Sequence, residues 1–347
     1  MTKNGVLFGM VCAAVFAAPG RTFGQTRAET ALIPRKEVRA ALGDLENQGT
    51  KRALLLCGLP GDDEHRKPFA ESVDKIRQAL VENYGFTADE IRLQFAGPVA
   101  EGEGPVLSGV RGRGTREEIE AEAAELRKVV KPEDVLWVIV IGHAYYDGKH
   151  SYFNIPGPDI NEQEFAKLFA GLEAREQVFF IGIPASGFYI KPMSAKGRVI
   201  ISATEADLEV NETYFPHALA EVLTAPPAPV DFDIDHDGRL TLFDLYITVA
   251  KSVAQQFVGD ELIPTEHSLL DDNGDGRGTE LQIDYLTVEQ GGRLKPGSKR
   301  PLPPKETADG ALAKQILLPP GADRPAEKPS EPAATDAAAA ESAEPKE

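Results

Sequence analysis

The chain has 347 residues, with 37 Lys and Arg against 55 Asp and Glu, a formal net charge of −18 and an isoelectric point near 4.9. Such an acidic surface repels the phosphates of nucleic acids and anionic lipids, so neither is expected as a partner. With 42% hydrophobic residues a packed core is expected, and the length allows two domains or one large domain with appendages.

The first residues run from Lys3 through the apolar stretch Gly5 to Ala18 into Pro19 to Gln25, with small residues at Thr22 and Gly24. A charged start, an apolar run and a small-residue exit predict a secretory signal over residues 1–24, and the run is too short to span a bilayer stably. A signal anchor left uncut is the alternative. No later stretch is long and apolar enough to cross a membrane, so a secreted or periplasmic protein without a membrane span is expected after signal removal. Cys12 falls within the signal, which leaves Cys57 alone and excludes an intrachain disulfide.

Residues 48–225 alternate strand and helix patterns. Arg52 to Cys57 (RALLLC) reads as a buried strand feeding a Gly/Pro loop, Pro68 to Tyr84 as an amphipathic helix and Ile91 to Phe95 as the next strand. Gly97 to Gly114 is a glycine-rich loop. Thr115 with Glu118 predicts a capping box at a helix start. Val135 to Ile141 (VLWVIVI) is the most apolar strand and belongs mid-sheet. A hairpin around Asp147 and Gly148, a helix over residues 161–172, a strand over residues 178–183, a strand over residues 198–203 and a helix over residues 214–223 complete the pattern. Alternation of this kind predicts an α/β domain, a parallel sheet flanked by helices.

The region 226–291 is approached through Ala225 to Val230 (APPAPV), which is proline-rich and cannot be the entering helix of an EF-hand pair. That segment sets Asp233, Asp235 and Asp237 at positions one, three and five of a twelve-residue loop. Gly238 takes the sharp turn, Arg239 offers its carbonyl at seven, Thr241 stands at nine and Asp244 closes at twelve. Alternating carboxylates around a turn glycine converge on one centre, the arrangement a hard oxygen-seeking cation needs, so Ca2+ is the expected ligand. The shorter Asp at twelve, where Glu is usual, predicts weaker binding. With only an exit helix, Leu242 to about Val258, the loop resembles the half EF-hand of dockerin modules. A second acidic loop places Asp271, Asn273 and Asp275 at the same spacing, with neutral Gln282 at twelve. It reads equally as an incomplete calcium site or a tight acidic turn. Residues 292–347 are rich in Pro, Ala, Glu, Lys and Ser and predict a mostly disordered tail. Within it, Gly310 to Leu318 (GALAKQILL) is apolar enough to dock back on the core.

Two neighbouring strand ends carry polar candidates for a site beyond the sheet: His143 after VLWVIVIG and Ser186 after VFFIGIPA. In this order the chain, from about Arg52 to Leu223, resembles the caspase-like fold, specifically the legumain-type (C13) cysteine peptidases and their bacterial relatives. Members show an apolar strand ending in His-Gly and a second ending in Cys-x-Ser-Gly. IGHAYYDG and PTEHSLLDDNGDG are similar to stretches of secreted relatives that carry calcium loops after the peptidase-like domain. The resemblance implies that His143 matches the catalytic histidine, followed by Ala144 instead of Gly. Aligning Ser186 and Gly187 with the family's Ser-Gly puts Pro184 where the nucleophilic cysteine belongs. Proline has neither a nucleophilic atom nor an N–H for an oxyanion. The expected protein is therefore a non-catalytic homologue that binds calcium and an unidentified protein or peptide partner. The alternative is an active peptidase or hydrolase using Ser186 and His143. His65, with Asp62, Asp63 and Glu64, reads as an exposed acidic turn before it reads as a metal site.

Overall fold

The structure, a computed structural model, describes residues 49–97, 107–206, 209–295, 305 and 307–319. The predicted signal and most of the Pro/Ala/Glu-rich tail lie outside the described residues. All described residues belong to one compact unit that begins at Gln48.

Strand β1 (Lys51–Cys57) pairs in parallel with β2 (Ile91–Phe95) on one side and β4 (Val135–Ile141) on the other. Beyond β4 lie β8 (Glu176–Gly182) and β9 (Arg198–Ser202), also parallel. Two short strands close the edges. β3 (Val110–Gly112) joins β2 in parallel, and β10 (Leu269–Asp271) joins β9 as the one antiparallel member. The order is β10-β9-β8-β4-β1-β2-β3. β4 sits at its centre with all seven residues buried. Branched and aromatic side chains suit a strand covered on both faces, and each such residue fully buried contributes about 1.5–3 kcal/mol.

Side-chain alternation sends the two faces into separate cores. Leu55, Cys57, Trp137, Ile139 and Phe180 pack under helices α1 (Asp63–Glu82), α5 (Phe215–Thr224) and α7 (Leu242–Gly259). Leu54, Leu56, Val138, Val140 and Phe179 pack under α2 (Arg116–Val129), α3 (Glu162–Leu168) and α4 (Gly187–Met193). The result is an α/β molecule with a mostly parallel sheet between two helical layers. Thr115 and Glu118 form the expected capping box at the start of α2. The predicted hairpin is present as β5 (Ala144–Tyr146) and β6 (Ser151–Phe153), which with β7 (Ile160–Asn161) make a small second sheet.

The region after Ala225 is built into the same unit. α7 buries Phe243, Tyr246, Val249 and Phe257 in the core that α5 shares, and β10 extends the main sheet. Before the acidic loop there is only a four-residue turn of helix, α6 (Pro229–Phe232), in keeping with the proline-rich approach. The segment 307–319 folds back: Ala313, Ile316 and Leu318 are buried with α7. No helix among the described residues is long and apolar enough to cross a membrane.

Candidate functional site

Two places gather the residues singled out by the sequence: the carboxyl edge of the parallel sheet and the acidic loop ahead of α7.

At the sheet edge, Ile141 of β4 is in register with Gly182 of β8. His143 and Pro184 each stand two residues past the last paired residue of their strand, at the same end of the sheet. Gly142, at φ 142°, carries the chain past Gly58, whose N would lie 3.2 Å from an added Cβ. The His143 Nε2–H donates to the carbonyl of Pro60 at 3.0 Å. Its ring packs against Phe69 (centroids 5.2 Å) and edge-on against His65 (5.1 Å). His65 lies between Asp62 Oδ1 (2.6 Å from Nδ1) and Glu212 Oε2 (3.0 Å from Nε2), and the hydrogen bond to Asp62 holds its imidazole above the usual histidine range. Asp62 also caps α1 by accepting the His65 backbone N–H.

Ser186 is fully buried. Its backbone N–H donates to Thr204 Oγ1 at 2.8 Å, its Oγ accepts the Thr204 N–H at 3.0 Å, and the two hydroxyls lie 3.1 Å apart. No hydrogen bond joins Ser186 to His143. The intervening Ala185 has φ 52° and donates its N–H to the carbonyl of Glu209. A serine–histidine contact does exist, on the other side of Phe69. There Ser72 Oγ lies 2.7 Å from His217 Nδ1 between α1 and α5, where burial holds the imidazole below its usual range. Cys57 is buried at the end of β1, and burial drives its thiol far above the range in which a thiolate forms.

At the acidic loop, Asp233, Asp235 and Asp237 each bring a carboxylate oxygen within 4.8 Å of the others, the one such cluster among the described residues. Gly238 turns at φ 82° and the exposed His236, at position four, at φ 56°. Backbone N–H groups of Asp237, Gly238 and Arg239 feed the carboxylates of Asp233, Asp235 and Asp237. Thr241 and Asp244 form the capping box of α7. Asp244 accepts from Ile234 N (2.9 Å), Thr241 N (2.9 Å) and Thr241 Oγ1 (2.6 Å), while burial raises its carboxyl above the usual range. Three converging carboxylates fit a divalent cation. Positions nine and twelve, as they stand, are committed to holding the helix start. The centre is not left to the carboxylates alone, because the Lys314 ammonium pairs with Asp235 and lies 3.5 Å from Asp237 Oδ2.

The second acidic loop repeats the first in backbone shape. Gly274 (φ 79°) and Gly276 (φ 76°) match His236 and Gly238 in conformation, and the N–H groups of Asp275 and Arg277 donate to Asn273 and Asp275 as those of Asp237 and Arg239 do to Asp235 and Asp237. Asp271 is buried and raised by burial. Asp309, from the returning C-terminal segment, accepts Thr279 Oγ1 at 2.5 Å and the Asp272 N–H at 3.3 Å.

No local spacing signals Lys314 or Asp309 as neighbours of these loops, nor Asp272 as the loop residue that holds the returning segment. The cleft of about 550 Å3 lined by Glu205, Glu209, His267 and Glu280 is likewise unsignalled. His267 Nδ1 pairs with Glu209 there. Adjacent Glu266 is buried, accepts the N–H groups of Tyr214 and Phe215, and is pushed up to about 8 by burial. These groups come together only through tertiary folding, and no local spacing signals them. No known family model matches this chain, and no curated protein matches it.

Proposed function

We propose that the protein is a secreted, calcium-binding, non-catalytic relative of the caspase-like, legumain-type peptidases, acting by holding a protein or peptide partner. The observation that carries the reading is Pro184. It is the second residue past the last paired residue of β8, as His143 is past that of β4, and in the resemblance it falls where covalent catalysis would need a nucleophile within reach of its base. The order of strands, with His143 after the central one and Ser-Gly after its neighbour, is what supports the family resemblance. For calcium, the support is the convergence of Asp233, Asp235 and Asp237, with the Arg239 carbonyl, Thr241 and Asp244 in the order of the loop and Asp271, Asn273 and Asp275 as its repeat. His143, on this reading, is a hydrogen-bonded residue at a strand end.

Incubating the mature chain with peptides bearing Lys, Arg, Asn and Asp in millimolar calcium tests it. No turnover is expected, and turnover abolished by His143→Ala overturns the proposal. Calcium at 100 times its Kd should stabilise the fold by about 2.7 kcal/mol, reversed by chelation. A melting temperature unmoved by millimolar calcium removes the calcium half of the reading. The alternative, a hydrolase using Ser186 and His143, would require Ser186 to break its bonds to Thr204 and leave a fully buried position. A fluorophosphonate probe that labels Ser186 would favour it.

A further inference from the structure

The returning C-terminal segment is fastened to both acidic loops. Leu242 N donates to Ile316 O and Leu318 N to Leu240 O, each at 2.9 Å, around an antiparallel bridge between Thr241 and Leu317. At the other end Asp272 accepts the N–H groups of Gly310 (2.9 Å) and Ala313 (2.7 Å). Ala313 and Ile316 face the core, and Lys314 reaches into the first loop. Its side chain is 13% exposed and that of Asp235 only 1%. The ammonium lies 5.9 Å from the centre of the Phe243 ring.

Carboxylates within 4.8 Å of one another repel, and a buried one needs a counter-charge. Lys314 supplies that charge from within the chain. A divalent cation held by the three residues would draw on the Asp235 and Asp237 carboxylates that now hold the ammonium, and two cations sharing those carboxylates repel. The two occupancies exclude each other.

We infer that Lys314 is an intramolecular competitor for the divalent cation at Asp233, Asp235 and Asp237, so that cation uptake expels the lysine. The inference rests on the proposed calcium reading of this loop and adds its regulation. Calcium affinity is set by how firmly the segment 307–319 holds Lys314 in place, and anything that lifts the segment sharpens the site.

The test compares calcium titrations by calorimetry of the mature wild-type chain and Lys314→Met, which keeps the apolar stem, together with acetylation of the Lys314 amine in the wild type with and without calcium. Removing one competing charge should tighten calcium binding about tenfold or more. In the wild type, Lys314 should acetylate slowly without calcium and severalfold faster with it. Equal affinity in the two proteins overturns the inference while leaving calcium binding intact. Saturating calcium that leaves Lys314 as protected as before overturns it too, independently of how well the variant folds. Binding by Lys314→Met alone upholds the inference in its strongest form and removes calcium binding from the wild type. Binding by neither removes both.

Discussion

Ser186 and Thr204 exchange hydrogen bonds through backbone and side chain, all of them buried, and that exchange ties the turn after β8 to the end of β9. Ser186→Ala leaves the Thr204 N–H without its acceptor in a place water does not reach. A loss of about 1–3 kcal/mol in urea unfolding is expected. Glu266 links its protonation to stability. Burial sets its folded value near 8 against 4.5 for the ordinary group. A raised carboxyl keeps its proton in the folded state while the unfolded state gives it up, so the contribution of Glu266 is full below about pH 4.5 and is lost as the pH rises toward 8. His267, raised chiefly by its hydrogen bond to Glu209, acts in the same direction above its ordinary value of 6.5. Thermal melts across pH 5 to 8 should therefore decline, and Glu266→Gln, which imitates the protonated acid, should flatten most of the decline. A wild-type profile that rises over that interval would contradict this assignment.

At the scale of elements, α4 starts against the loop that follows β9. A Cβ on Gly187 would lie 2.3 Å from Ala206 N and 2.5 Å from Glu205 C, backbone that cannot give way locally. Gly187→Ala should cost about 1–3 kcal/mol, read from the shift in the denaturation midpoint. Most strands and helices were legible from the chain because their apolar periods are long: VLWVIVI, VFFIGI and the helix after Pro68 declare themselves. β3 and β10 were not, since three residues carry no period and depend on the edge they join. The acidic loop was legible as spacing, and the capping role of Thr241 and Asp244 is visible in the same residues. Lys314 was not, because its position depends on a segment that reaches Asp235 and Asp237 from far along the chain. At the sheet edge the sequence brings out His143, Pro184 and Ser186. Which way the serine points is decided by Thr204, two residues past the end of the following strand.

Over the whole molecule, the described residues of α7, β10 and the segment 307–319 pack against one side of the α/β core. Ile316 and Leu318 are buried against α7. The double change Ile316→Ala and Leu318→Ala should lower stability by about 4–8 kcal/mol if the two sites add. A single cooperative transition, displaced as one by this change, is the expected melting behaviour. A separate low-temperature transition for the C-terminal region would show that it unfolds independently.

Both margins of the main sheet end in strands of three residues, Val110–Gly112 and Leu269–Asp271. A foreign strand seeking to extend the sheet would find almost no free ladder to pair with at either side. Together with the net charge of −18, such stubs guard a strongly apolar sheet against self-association.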